Sequence, residues 1–120
     1  STLHVTGSLR VTSGARFDST VNFQGGQYVK INSIPDADYT VTGSDYIISL
    51  KNWTGEHTIT LPTGITGRTL PIFPYGQAVN FSQNIIGGDG SILNIGAATT
   101  FTLRLTYDGS NWVDLNGNRF

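Results

Sequence analysis

The sequence predicts an all-β protein: an intertwined trimeric β-helix or β-prism shaft built from hexapeptide repeats, followed by a small antiparallel β-sandwich head. Three observations carry this expectation. A six-residue apolar pattern repeats four times between Leu3 and Gly26. After it come many short alternating segments separated by Gly, Pro, Asn and Asp. No long segment has the apolar period and caps of an amphipathic helix.

The repeats read LHVTGS, LRVTSG, ARFDST and VNFQGG. Each opens with an apolar pair at a spacing of two: Leu3/Val5, Leu9/Val11, Ala15/Phe17 and Val21/Phe23. In an extended chain that spacing puts both side chains on one face. Small and polar residues such as Gly7-Ser8 and Gly25-Gly26 then supply a bend. Three such hexads would make one triangular coil, so four in one chain close little more than a single coil. Stacked neighbours are what bury the face of a repeat structure. Three chains, each supplying one side of the triangle, would turn the same four repeats into a short prism. The eight apolar residues are therefore assigned to a trimer axis, residues 1–26 to a shaft segment, 27–38 to a neck and 39–120 to the head.

In the neck, Pro35 and Asp36 mark a turn. The head follows as YTVTG, DYIISLK, HTITLP, GRTLPIF, QAVNFS, SILNI, TFTLRLTY and NWVDLN. Phe101, Leu103, Leu105 and Tyr107 alternate strictly before Asp108-Gly109, a strong hairpin signal. Such a succession of short strands reads as an antiparallel sandwich or barrel.

Composition narrows the function. Seven basic and eight acidic groups leave a net charge of −1, too balanced for an electrostatic footprint on nucleic acid or an anionic membrane. Charged residues are only 12% of the chain, so its surface is polar through hydroxyls and amides. No apolar run approaches the roughly 18 residues that span a bilayer, so membrane insertion is not expected. With no cysteine there is no disulfide framework and no thiolate chemistry. The start lacks an initiator Met and a signal-peptide pattern, and the expectation is a fragment from the C-terminal end of a longer protein.

The carboxylates offered for acid–base work are Asp36, Asp38, Glu56, Asp89, Asp108 and Asp114. Asp36 and Asp38 flank a proline turn, Asp89 lies in Gly-Gly-Asp-Gly and Asp108 in a hairpin turn, where Asp caps backbone amides. Nothing sets an acid and a base apart on a rigid groove. His4 and His57 are far apart and fit no metal-ligand spacing. The expectation is a non-enzymatic protein without metal or cofactor.

Two stretches resemble a known class. The runs YTVTGSDYIISL, TITLPTGITGRTLPI and GGDGSILNIGAATTFTLRLTYDGSNWVDL are similar to a module near the distal end of tailed-bacteriophage tail fibres and tailspikes. LHVTGSLRVTSGARF resembles the shaft repeats of such fibres. The likeness spans about Tyr39 to Leu115, with Phe73 to Ile86 departing from it. It implies a homotrimer in the virion, joined upstream to other virion proteins. Its head would bind a host surface glycan or outer-membrane component, or lock the trimer. No receptor-contacting residue transfers by motif.

Residue types alone nominate the receptor-binding candidates. Trp53 in KNWTGEH is either a loop anchor or an exposed platform for the apolar face of a sugar, with Asn52 and His57 beside it. Tyr75 in FPYGQ lies on a Pro-flanked loop. Trp112 reads as core. The alternatives are a structural trimerisation cap or virion connector without receptor contact, and a monomeric carbohydrate-binding module. A monomer would leave the eight hexad side chains exposed in a row.

Overall fold

A computed structural model describes residues 2–120; Ser1, the first residue of the expected shaft segment, lies outside the described residues. The head is all-β, with eleven short strands in two mixed sheets and no helix among the described residues.

Its first half is a coil. β1 (Ile31–Ser33), β3 (Ile47–Ser49) and β5 (Thr69–Phe73) lie side by side and parallel in one sheet. β2 (Tyr39–Thr40), β4 (His57–Thr60) and β6 (Val79–Phe81) do the same in the other. The chain alternates between the sheets, and each circuit lays the next strand beside the previous one. The second half closes the structure. β7 (Ile85–Ile86), β8 (Ile92–Leu93), β10 (Leu103–Tyr107) and β11 (Trp112–Asp114) extend the first sheet to the order β1-β3-β5-β10-β11-β7-β8. β9 (Ala98–Thr99) completes the second as β2-β4-β6-β9.

The antiparallel arrangement expected from the sequence is thus corrected. Five of the nine pairings among the described residues are parallel. Parallel neighbours need a crossover between them, and here the crossover is the excursion through the opposite sheet. The hairpin expected at Asp108-Gly109 is present: β10 and β11 pair antiparallel, with Leu105 opposite Asp114. Asp108 N donates to Asn111 O at 3.0 Å, and Gly109 takes the positive φ of 105° that the turn requires.

The core lies between the sheets. Leu70 and Ile72 on β5 face inward beside Leu105 and Leu103 of β10, their register partners. Ile48, Ile85 and Trp112 join them from the same sheet, and Ile59, Val79 and Phe81 close the core from the other. Trp112 is 1% exposed, as its sequence context predicts. The segment expected as a neck enters the head at Ile31: β1 is the edge strand of the larger sheet, and Ile34 is buried in the core.

Residues 2–30 form an extended arm with no assigned strand. Leu3, Leu9, Phe17 and Phe23 are 83, 70, 69 and 63% exposed in the single chain. Val5, Val11, Ala15 and Val21 are exposed too. The molecule measures 52 × 30 × 24 Å.

Candidate functional site

The connections that leave the larger sheet for the smaller one share a flank of the coil. They are the β1–β2 turn (34–38), the β3–β4 loop (50–56) and the β5–β6 loop (74–78). Leu50 N donates to Phe73 O at 3.0 Å, tying the β3–β4 loop to the end of β5, and Thr54 N donates to Asp36 Oδ1 at 3.0 Å, joining the first two connections. This topology brings Asn52, Trp53, His57 and Tyr75 to one side of the head.

Trp53 is not an exposed platform; the ring is 3% exposed. Its Nε1 donates to Pro35 O at 2.9 Å, and its ring meets that of His57 in a T-shaped contact with centroids 4.9 Å apart. A buried indole brings a large apolar area and one donor that needs a partner, and the β1–β2 turn supplies both. Trp53 is the anchor that holds two successive coils together. Asp36 strengthens the same joint: it accepts the Thr54 amide and hydroxyl, and its Oδ1 lies 2.7 Å from His57 Nε2. The Thr54 hydroxyl and amide, then His57, hold the Asp36 carboxyl at about 2, below its ordinary value of 3.8. Asp38 accepts the Thr58 amide at 2.8 Å, with His57 Nδ1 3.7 Å away. His57 is thus half-buried between two carboxylates, while Asn52 remains exposed.

Of the other carboxylates, Glu56 is exposed, and Asp89, Asp108 and Asp114 are also tied to backbone. Asp89 caps Ser91 N, and Asp108 Oδ1 accepts from Ser110 N and Asn111 N, as their turn contexts predict. The Ser91 hydroxyl chiefly lowers the Asp89 carboxyl, and the Asn111 amide that of Asp108. Asp114 is buried and accepts from the amides of Arg104, Asn116 and Asn118 and from Asn118 Nδ2. Sequence reasoning did not single out Asp45, which is 7% exposed. It receives Asn32 Nδ2 at 2.9 Å, Tyr39 OH at 2.6 Å and Thr42 N at 2.8 Å. Burial pushes the Asp45 carboxyl up, but these donors together outweigh it and hold the group below its ordinary range. Asp36, Asp38, Asp45, Asp89, Asp108 and Asp114 thus spend their lone pairs on structural hydrogen bonds, within turns or between strands and coils.

Two concavities lie among the described residues near these elements. The smaller, about 200 Å³, lies between Phe73, Tyr75 and Thr102 on the flank just described. Tyr75 is 66% exposed and Phe73 42%. The larger, about 440 Å³, lies where the edge strands β8 and β9 meet the C-terminal segment. Ile92, Ala98, Phe101 and Phe120 line it, and the two Phe rings stack at 6.2 Å. The apolar side chains of ILNIGAATTF were the available signal for it; Thr102 had none. No family model matches the sequence, and no curated protein matches it.

Proposed function

We propose that this chain is the distal part of a trimeric bacteriophage tail fibre or spike, a virion protein that adheres to the host surface without chemistry. One observation carries the reading. Eight apolar side chains, two per hexad, stand exposed along an arm that has no assigned strand among the described residues. An apolar strip of that length is an interaction surface. Its period suits three copies, each closing one side of a prism around a common axis. Three identical heads then present three weak sites together, and avidity multiplies them.

The head supports adhesion through its loop flank, where an exposed Tyr and a shallow aromatic cleft lie beside amides and hydroxyls. A host surface polysaccharide is the partner such a surface suits.

The test is direct binding. Fluorescently labelled protein is added to a panel of bacterial strains and to phage-adsorption assays on the strains it coats. Saturable binding with slowed adsorption is the expected result. A trimer that binds no strain would make the head a structural cap or connector instead.

A further inference from the structure

We propose that the Pro74–Gln77 turn presents Tyr75 as the stacking face of a subsite for one ring of a neutral oligosaccharide; the inference rests on the adhesive reading above. Tyr75 has a φ of +54°, the only non-glycine positive φ among the described residues. Gly76 follows at +78°, and Gln77 N donates to Pro74 O at 3.0 Å. Two positive central residues in a closed four-residue turn are the geometry that favours Asn-Gly or Gly-Gly. A side chain at the first of them crowds the backbone. A tyrosine is tolerated there when its ring packs into the fold, and this one does not: two-thirds of it faces solvent. Turn chemistry would choose Asn or Gly, and packing covers only about a third of the residue. Strain of this kind points to a surface role for the side chain.

The surroundings say what the ring meets. Phe73 extends the aromatic surface, and the cleft of about 200 Å³ is sized for a single ring rather than a chain of them. No charged side chain lines it. Thr102, at its edge, has a hydroxyl with no protein hydrogen bond among the described residues. Asn116 Nδ2 and Asn118 Nδ2 donate to Thr102 O at 3.1 and 2.9 Å, which fixes two carboxamides beside the cleft. A flat apolar face, an unengaged hydroxyl, fixed amides and no net charge suit a molecule with C–H faces and many hydroxyls. A carboxylated or sulfated sugar would find no cation in the lining of this cleft.

The experiment uses the full chain on an array of neutral hexose and N-acetylhexosamine oligosaccharides, with uronate and sulfated oligosaccharides beside them. Wild type should bind neutral members. Tyr75→Gly should weaken that binding about tenfold or more, the loss of a central aromatic contact. It should also leave the melting temperature unchanged or raised, because glycine relieves the turn. Tyr75→Phe should keep the binding. The site is overturned if Tyr75→Gly binds as wild type does, if it melts lower, or if wild type binds only the charged sugars. A blank array with labelled protein still coating cells overturns this site and leaves adhesion standing; failure on both removes both.

Discussion

Replacing Trp53 separates an anchor from a platform. The ring is 97% out of solvent by its 3% exposure, contacts His57, and gives its one donor to Pro35 O. Truncating a buried Trp to Ala costs about 3–5 kcal/mol in lost transfer energy and cavity. The carbonyl of Pro35 keeps a second donor, Ala37 N at 2.7 Å, so loss of the indole N–H adds little to this. Trp53→Phe keeps most of the apolar contact but not the hydrogen bond, so it should cost about 1–2 kcal/mol. Urea unfolding at one fixed protein concentration is the assay, because association makes the midpoint concentration-dependent. Trp112, buried in the core and then the sole indole, reports the unfolding. With a slope of about 2 kcal/mol per M, Trp53→Ala should lower the midpoint by about 2 M and Trp53→Phe by about 0.5–1 M. A Trp53→Ala midpoint within about 0.3 M of wild type would refute the reasoning. So would loss of cell binding with stability intact, which is the signature of a platform.

Other positions give equally specific expectations. Phe17→Asp places a charge where three rings should meet and should leave the chain monomeric in light scattering. Arg16→Asp, on the polar face of the same repeat, should stay trimeric; its exposed pair with Asp18 contributes little. The Asp36 carboxyl is held at about 2 in the folded chain, below its ordinary 3.8. Its stabilisation is therefore complete above about pH 4 and is lost as pH falls through 2. The gap in urea midpoint between wild type and Asp36→Asn should shrink between pH 5 and pH 2; an unchanged gap contradicts the assignment. A Cβ on Gly88 would lie 2.6 Å from the backbone of Gly117, whereas one on Gly43 meets nothing within 4 Å. Gly88→Ala should destabilise by about 1–3 kcal/mol in thermal melting, with Gly43→Ala near neutral.

What the sequence could reveal was set by how local the cause is. The alternation of Leu103 and Leu105, closed by Asp108-Gly109, names both the strand and its partner, because a hairpin's neighbour is next in the chain. The parallel coil has no such signal. Ile48 pairs with Ile72, and Ile59 with Phe81, only after the chain has crossed to the other sheet and returned. Strands of two to five residues are too short for their alternation to say which neighbour they choose. Trp53 illustrates the same limit at the candidate site. Its loop reads as polar because what buries it, the Pro35–Asp38 turn, comes from the preceding coil. Tyr75 was legible as exposed from Pro74 and Gly76 around it, but its strained φ was not. Asp45 was missed because its partners Asn32 and Tyr39 reach it from separate strands.

Sedimentation equilibrium of the full chain tests the central claim most directly. The account predicts a single species of about 39 kDa, three times the 12.9 kDa chain, across micromolar concentrations. A stable 12.9 kDa species, with Leu3 to Phe23 left in water, would contradict it.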